Sequence, residues 1–348
     1  MSEERKRMEQ VTGIKEIAQR CGVSASTVSR VLNGKSCVRE ETRKRVMDAV
    51  KQSNFRPNLL ARSLKQGDPK TICMMIPSYG NLIFPRLMRG VNKIAMRNGY
   101  TTFLGITDEQ QETEESIYNE MRNRQVGGFV IFSARGDESA VYRLREEGVP
   151  AVMVNRYRKE DIGRLETISI DNYRAGYVST QYLIRSGRRR IAIACGDPAL
   201  FLYTERYRGY CDALWDAGLE VDPALVMQEP AEGQDGFYNL TKRLMLSEKV
   251  PDAFLATSDP KAFIIMHALH DLKLRIPRDV AVMGIDNVEL SAYMEPPLST
   301  LAQPLTRIGE EAMDMLLRQI EYKKEHGRLP APENRILDFD LLIRKSTD

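Results

Sequence analysis

The chain has 348 residues, of which 42% are hydrophobic and 28% charged, a composition typical of a soluble protein with more than one packed domain. No run approaches the roughly 18 apolar residues of a membrane helix, and the charged start MSEERKRMEQ is unlike a secretory signal. Five cysteines without a C-x-x-C spacing favour reduced thiols over a disulfide scaffold. We therefore expect a cytoplasmic protein without a membrane partner.

The net charge of +3 is unevenly distributed. Residues 1–66 contain 15 Lys and Arg against 7 Asp and Glu, whereas the remainder contains 36 against 41. A small basic segment joined to a larger acidic one indicates an anionic partner at the N-terminus. A solvated basic surface would have the same composition, so charge alone does not decide.

The first segment predicts three helices. The first has apolar residues at i, i+3, i+4 and i+7, namely Ile14, Ile17, Ala18 and Cys21. After a break at Gly22, Ser24 is a suitable N-cap for a second helix that ends near Gly34, with Val28, Val31 and Leu32 on its inner face. A third apolar set runs from Thr42 to Phe55. Two short helices separated by three residues predict a helix-turn-helix.

The segment RPNLLARSLKQGD, residues 56–68, is too short and too basic to be a domain. Pro57 suits a helix N-terminus, and Gly67 followed by Asp68 and Pro69 would end whatever forms. We expect a linker with one or two helical turns.

From Thr71 onward, short apolar runs alternate with amphipathic helices such as 84–98 and 206–217. The runs are TICMMIP, TTFLGI, GGFVIF, PAVMVN, RRIAIACG, DAFLATS and DVAVMGID. Strands that alternate with helices imply parallel sheets covered on both faces. Seven runs are too many for one small sheet, so we expect an α/β core of two doubly wound halves, with ligands bound at the carboxyl ends of the strands.

Signatures of catalysis are absent from the sequence. It has no G-x-G-x-x-G after a strand, no G-x-x-x-x-G-K-[ST], no H-E-x-x-H and no G-x-S-x-G. His267 and His270 have a spacing that could bind a metal, but no third ligand is evident nearby. We expect no enzyme, no cofactor and no metal site.

The N-terminal motifs GIKEIAQRCGVSASTVSRVLNGK and VREETRKRVMDAVKQSNFRPNLLARSLK resemble the LacI/GalR family of bacterial transcriptional regulators. The resemblance continues through ISIDNYRAGY, GRRRIAIACGD, PDAFLATSD, VAVMGIDN and PPLSTLAQP, and so covers nearly the whole chain. It implies a headpiece that binds a double-stranded DNA operator as a homodimer, a hinge helix, and a core similar to periplasmic binding proteins, with a small-molecule effector between its subdomains.

The resemblance also sets expected boundaries. These are a helix-turn-helix headpiece at 1–56, a hinge at 57–68, a first subdomain at 69–170 and 302–331, and a second at 171–301 and 332–348. The chain should cross between the subdomains near Ser169–Tyr173, Ser299–Gln303 and Pro330–Ile336. A helix over 306–323 would return to the first subdomain. A tetramerising C-terminal zipper is not expected, because the chain ends with LDFDLLIRKSTD.

The second predicted helix supplies the candidate residues for DNA recognition. Arg30 is the sharpest candidate, since a bidentate guanidinium contact to guanine discriminates by about 1–3 kcal/mol. The resemblance assigns Ala25 and Ser26, with Arg30, to variable base-reading positions. It assigns phosphate contacts and support of the turn to three polar residues: Thr27, Ser29 and Asn33.

The hinge segment ARSLK would form a second DNA site. In this family a leucine from each hinge helix opens a central step in the minor groove, which implies Leu64 here, beside Lys65. Asn58 and Ala61 would support it. A short helix of this kind should be disordered without DNA.

The family pattern is altered at two helix starts. Gly13 replaces a capping threonine, and Arg39 replaces a hydroxyl residue before the third helix. Arginine cannot accept the backbone hydrogen bond of an N-cap. We expect a weaker helix start there, or a compensating phosphate contact from Arg39.

The effector residues implied by the resemblance lie at strand ends or in loops: Asn155, Arg206, Ser258 and Asp286. Arginine and aspartate together can bind a polyhydroxylated ring from two sides. Ser78, Asn81 and Phe84 are expected on the opposite wall. The loop EPAEGQDG lacks the aromatic residue that relatives use for stacking, and Tyr203 or Phe201 could replace it. Trp215 is expected to pack. A carbohydrate-like effector is the expectation by analogy.

The sequence therefore predicts an effector-controlled transcriptional repressor. Within the same family, a co-repressor-dependent or activating regulator is the alternative. A soluble solute-binding protein would fit the core but leaves residues 1–65 unexplained.

Overall fold

A computed structural model gives the fold and describes residues 13–32, 38–53, 69–132, 140–228 and 236–348. The chain divides into two compact units, Met1–Pro69 and Lys70–Asp348, which are described separately below. In the described residues no helix is long and apolar enough to cross a membrane.

The first unit contains helices α1 (Ile14–Arg20), α2 (Ala25–Leu32) and α3 (Glu40–Gln52). Ile17, Val28 and Val46, one from each helix, are completely buried and form the centre of a small apolar core. The three predicted helices are thus confirmed, and the apolar spacing of each one explains which face packs inward.

The starts of α1 and α3 lack side-chain caps, as the sequence indicates. Neither Gly13 nor Arg39 makes a side-chain hydrogen bond to the first turn of its helix. Two carboxylates in the first turn of α3, Glu40 and Glu41, lie where the helix dipole favours negative charge. They offset part of the missing cap.

The first sheet of the second unit has the order β11-β5-β4-β3-β1-β2, and its strand pairs are all parallel. Its strands are β1 (Thr71–Ile76), β2 (Thr101–Ile106), β3 (Gly128–Ile131), β4 (Ala151–Val154), β5 (Glu166–Ile170) and β11 (Asn334–Leu337). Its helices are α4 (Phe84–Arg97), α5 (Gln111–Asn123), α6 (Ala140–Glu146) and α11 (Leu305–His326). These elements are the first subdomain.

The second sheet has the order β12-β10-β9-β8-β6-β7, parallel except for β12, which runs antiparallel to β10. Its strands are β6 (Ile191–Ala194), β7 (Val226–Met227), β8 (Ala253–Ala256), β9 (Ala281–Asp286), β10 (Ser299–Ala302) and β12 (Asp340–Leu342). Helices α7 (Asn172–Arg185), α8 (Phe201–Asp216), α9 (Gly236–Met245) and α10 (Asp259–Asp271) complete the second subdomain. The predicted core of two α/β halves is confirmed.

The chain passes between the subdomains at three points. The first two, at Asp171 and at Gln303–Pro304, lie where the sequence predicts them. The third lies at Asp338–Phe339, after β11, so the predicted crossing at 330–336 and the boundary at 332 are wrong. The reason is that 334–337 pairs with β5 at the edge of the first sheet before the chain leaves it.

Glycines allow the backbones of two pairs of helices to come into direct contact. A Cβ at Gly176 of α7 would lie 2.0 Å from the carbonyl oxygen of Arg206 on α8, and a Cβ at Gly309 of α11 would lie 2.0 Å from that of Leu87 on α4. Only glycine permits these approaches. The position of α8, and with it Arg206, is therefore fixed by backbone-to-backbone packing.

Candidate DNA-binding helix and effector cleft

Helix α2 has an apolar face and a polar face. Val28 and Val31 are buried, whereas Ala25, Ser26 and Arg30 are exposed. Thr27 and Ser29 are half-buried beside them. The helix therefore presents small side chains and one guanidinium to solvent from a rigid base, which is the arrangement that major-groove reading requires.

The hydroxyl groups at the start of α2 form one cluster. The Thr27 backbone N–H donates to Ser24 Oγ at 3.2 Å, and this oxygen also lies 2.8 Å from Ser26 Oγ and 2.9 Å from Thr27 Oγ1. Ser24 is thus the N-cap that the sequence predicts. The cluster holds the side chains of the first turn in place.

Five predicted DNA-binding residues lie outside the described residues. These are Asn33 in the headpiece and Asn58, Ala61, Leu64 and Lys65 in the hinge. Their roles, like the predicted hinge helix, stay predictions.

In the core, Arg206 lies at the centre of a buried polar network. Its Nε–H donates to Asn172 Oδ1 at 2.9 Å, and its Nη1 donates to the Thr257 carbonyl oxygen. The same Nη1 lies 3.8 Å from Asp286 Oδ1. Arg206 and Asp286 are both almost fully buried. The structure therefore brings together the predicted arginine and aspartate.

The network continues through Gln303, at the second crossing, to the first subdomain. Gln303 Nε2 donates to Asp286 Oδ1 at 2.7 Å, while Asn155 Nδ2, beyond the end of β4, lies 3.5 Å from Gln303 Oε1. Among the described residues, buried Asn155 Oδ1 has no hydrogen-bond partner. A buried acceptor of this kind is costly unless a ligand or water donates to it. We call the region around these residues and Ser258 the candidate cleft.

The electrostatics of Asp286 reflect its burial. Burial raises the pKa of Asp286 to about 7, while Arg206 acts in the opposite direction and Asp259 adds to the rise. The backbone at this point is unusual as well: Asp286 has φ 131°, Asn287 has φ 52° and Asn155 has φ 61°. Non-glycine residues in such conformations cluster at functional sites, where the surrounding structure maintains the strain.

Asp259 stabilises the strand ends that carry these residues. Its carboxylate accepts from the Val288 N–H at 2.9 Å, from Ser291 Oγ and from Thr300 Oγ1 at 2.6 Å. A Cβ at Gly284 would lie 2.2 Å from its Oδ1, so the close approach needs glycine there. Burial raises the pKa of Asp259, and the three hydrogen bonds lower it.

Ser258 is the N-cap residue of α10 and is buried, with its Oγ 3.5 Å from Lys261 Nζ. The ring of Tyr203 on α8 lies 4.9 Å from Lys261 Nζ and 5.9 Å from the guanidinium carbon of Arg206. Phe201 instead packs against Tyr157 of the first subdomain, with 6.2 Å between ring centroids. Tyr203 thus lies near both the predicted Arg206 and Lys261.

The opposite wall differs in part from expectation. Phe84 is buried in the core of the first subdomain with its ring edge-on to Phe132, so the structure gives it a packing role. Ser78 is partly exposed after β1, and Asn81 accepts from the Ile83 N–H. These three stay predictions as ligand contacts. The start of α4 does reach the second subdomain, because Arg86 Nη1 donates to the Asn287 carbonyl oxygen at 2.9 Å.

Two further expectations concern residues outside the cleft. Trp215, expected to pack, is 80% exposed at the end of α8, and that prediction is wrong. His267 and His270 are exposed on α10, and the described residues contain no group of three or more His, Cys, Asp or Glu arranged to hold a metal.

Comparison with known proteins identifies the family. Residues 13–58 match the description "Bacterial regulatory proteins, lacI family", and residues 180–347 match a periplasmic binding protein-like domain. The chain is 33% identical over 337 residues to the HTH-type transcriptional regulator RegA of Clostridium saccharobutylicum, covering 97% of this chain and 99% of the relative. The chain belongs to the LacI family. It is 30% identical over 342 residues to the transcriptional repressor CytR of Escherichia coli K12, covering 98% of each.

Solved structures agree with a LacI-family fold. A complex described as transcriptional regulator CelR with cellobiose has a TM-score of 0.73 and 27% identity, covering 96% of this chain and 99% of that one. The Lac repressor dimer bound to operator and an anti-inducer has a TM-score of 0.85 at 23% identity, covering 97% and 99%, and shows the shared fold. The chain is therefore a DNA-binding transcriptional regulator with a core similar to periplasmic binding proteins.

Sequence reasoning missed three residues that this LacI-family core brings to the cleft: Asn172, Lys261 and Gln303. Asn172 and Gln303 lie in the quoted motifs ISIDNYRAGY and PPLSTLAQP, beside the predicted crossings. Polar residues at a crossing between subdomains were the available signal. Lys261 stands three residues after Ser258, about one helical turn away, and directly precedes the apolar run AFIIM.

Proposed function

We propose that this regulator represses transcription by binding a pseudo-palindromic operator as a homodimer, and that a small molecule in the candidate cleft controls operator binding. The observation that carries the proposal is α2, whose buried valines leave Ala25, Ser26 and Arg30 exposed. In this assignment Arg30 reads a base edge, the two small residues permit close approach, and Thr27 and Ser29 contact phosphates.

The hinge residues complete the proposed DNA site. Leu64 would enter the minor groove at the centre of the operator, with Asn58, Ala61 and Lys65 around it and Asn33 on phosphate. Insertion of an apolar side chain there bends the duplex and increases the protein surface in contact with it. A headpiece of 1–56 and a hinge of 57–68 are the boundaries we propose for these parts.

The polar network supports control by a ligand. Asp286 on β9 contacts both Arg206 on α8 and Gln303 at a crossing, and Gln303 continues to Asn155 in the other subdomain. A ligand that engages Asn155, Arg206, Ser258 and Asp286 would bind one relative position of the subdomains better than another. That difference in affinity is what shifts the population able to bind DNA.

A carbohydrate-like effector fits the mixture of donors and acceptors in the cleft. Arginine supplies donors only, whereas aspartate and the amide oxygen of Asn155 accept. The related CelR structure is described as a cellobiose complex, which supports a sugar or sugar derivative for this chain.

Selection from random duplexes tests the proposal. Full-length protein should enrich two inverted half-sites with two-fold symmetry, and Arg30→Ala should lose preference at one position in each half-site while other positions keep theirs. Ser186→Ala, a change at an exposed position just after α7 in the second unit, serves as the control and should enrich the same sequence as the wild type. Enrichment of a single unpaired site, or of no sequence by wild-type protein, would contradict the proposal.

A further inference from the structure

Lys261 is a buried cation in the candidate cleft. Only 1% of its surface is exposed, although it stands in the first turn of α10. Its Nζ lies 4.9 Å from the Tyr203 ring centroid, 5.8 Å from that of Phe237, and 3.5 Å from Ser258 Oγ. Two aromatic rings and a hydroxyl thus lie near the ammonium group.

Burial of an ammonium group is expensive unless other groups compensate the charge. Asp286, on which Lys261 acts electrostatically, is one such group, and both carboxylates of the network have other partners as well. Asp259 accepts hydrogen bonds from Ser291 and Thr300, and Asp286 accepts one from Gln303 and faces Arg206. An ammonium group has three donors and can add a ligand oxygen to the contacts it already makes.

The lysine lies beside the predicted effector residues. Arg206 and Lys261 both lie near the Tyr203 ring, at 5.9 and 4.9 Å. Lys261 is also close enough to Asp286 to help lower the pKa of that carboxyl against the effect of burial. On the other side of the network, the buried Asn155 Oδ1 has no hydrogen-bond partner among the described residues. The region therefore offers two cations and a buried acceptor, beside the carboxyl groups of Asp259 and Asp286.

We infer that the effector is an anionic polyhydroxylated molecule, such as a sugar phosphate or a sugar acid, whose negative group binds Lys261 and Arg206. A hydroxyl of the same molecule donates to Asn155 Oδ1. Charge-assisted hydrogen bonds to a phosphate or carboxylate are among the strong ones, so an anionic group is the ligand group that these two cations favour. The inference rests on the proposed use of the cleft as the effector site.

The test compares glucose, glucose 6-phosphate, glucuronate and inorganic phosphate at constant ionic strength. Binding to the full-length protein is followed by thermal shift and by titration calorimetry. At least one anionic member should raise the melting temperature of the wild type more than glucose does. Whether glucose 6-phosphate or glucuronate binds better distinguishes a phosphate group from a carboxylate.

The variants are Lys261→Met, which keeps an unbranched side chain without the charge, and Lys242→Met as the matched control. Lys242 also lies over a tyrosine, with its Nζ 5.0 Å from the Tyr238 ring centroid. Tyr238 donates to Asp271 at the far end of α10, about 15 Å along the helix from Lys261.

Lys261→Met should weaken anion binding by about ten- to a hundredfold, the loss expected for a hydrogen bond to a charged group. Lys242→Met should bind like the wild type. The inference is overturned if Lys261→Met binds the anion as tightly as the wild type, if glucose alone binds, or if no anionic member stabilises the protein.

Operator binding by the same preparations separates this inference from the proposed function. Without ligand, Lys242→Met should bind selected DNA as the wild type does. Wild-type protein that binds the anion but no operator would contradict the proposed function and leave the assignment of Lys261 standing.

Discussion

Replacing Gly176 with alanine tests whether helix packing sets the position of Arg206. The added Cβ would lie 2.0 Å from the Arg206 carbonyl oxygen, and 3.4 Å is the shortest ordinary contact. Helices α7 and α8 must therefore separate by roughly 1.4 Å along this contact. Overpacking of this kind costs about 1–3 kcal/mol of unfolding free energy.

The separation also disturbs the buried network. Arg206 is hydrogen-bonded to Asn172 on α7 and lies 3.8 Å from Asp286 on β9, so movement of either helix weakens one of these contacts. Arg206 lowers the pKa of Asp286 against the effect of burial. Losing that contact makes the ionised carboxylate less stable, which adds a penalty at pH 8 that is absent at pH 5, where Asp286 is protonated.

The assay is urea unfolding of full-length Gly176→Ala and of Gly309→Ala at pH 5 and pH 8. Gly309→Ala is the matched control, because its Cβ would lie 2.0 Å from the Leu87 carbonyl oxygen in the other helix pair. Both variants should be destabilised. Gly176→Ala should lose more stability at pH 8 than at pH 5, whereas Gly309→Ala should lose the same amount at both.

Two results would refute this reasoning. A loss below about 0.5 kcal/mol for Gly176→Ala would mean that the contact relaxes without cost. An equal loss at the two pH values would mean that Arg206 keeps its contacts when the helices separate, so helix packing would not set its position.

Three other predictions follow from single residues. Burial raises the pKa of Asp286 from 3.8 to about 7, so between these values the folded chain holds a proton that the unfolded chain has lost. The free energy of unfolding should therefore fall as the pH rises through this window. The melting temperature of Asp286→Asn should fall less steeply with pH than that of the wild type. Equal slopes of melting temperature against pH would contradict this. Asp259→Ala removes the carboxylate that accepts hydrogen bonds from the buried hydroxyls of Ser291 and Thr300. It should lower the free energy of unfolding in urea by about 3–5 kcal/mol, and a loss below about 1 kcal/mol would contradict this. Arg30→Ala should reduce discrimination between selected and altered operators by about 1–3 kcal/mol in fluorescence anisotropy, and unchanged discrimination would exclude Arg30 from base reading.

The positions of two predicted effector residues agree with the rule that ligands bind at the carboxyl ends of parallel strands. Asp286 ends β9 and Ser258 follows β8, a strand that pairs with β9. The family resemblance named both residues, and ligand contact at them stays a prediction. Gln303 was predicted only as part of a crossing and not as a cleft residue, because its contact with Asn155 joins residues 148 positions apart. No local pattern encodes a contact at that separation.

Edge strands were the weaker part of the fold prediction. The segment NRILDFDLL contains β11 in one sheet and β12 in the other, with only Asp338 and Phe339 between them. Both strands are short and half-exposed, so neither has the regular alternation of apolar and polar residues that marks a strand in the sequence. Pairing with β5 and β10, which the sequence does not reveal, decides where the third crossing lies.

Side-chain roles were harder to predict than positions. Phe84 lies at the start of α4, near the Arg86 contact with the second subdomain, yet its ring packs inward. Trp215 was expected to pack because tryptophan is large and apolar, but it lies on the exposed side of the last turn of α8. Surface apolar residues are common enough that hydrophobicity alone does not imply burial.

Sequence-specific DNA binding is the central claim, and affinity for a selected operator tests it most directly. Full-length protein is titrated against the selected duplex and against a scrambled duplex of equal composition, at several salt concentrations. The account predicts a preference of about a thousandfold or more for the operator, with affinity that falls steeply as salt rises. Equal affinity for the two duplexes at every salt concentration would contradict it.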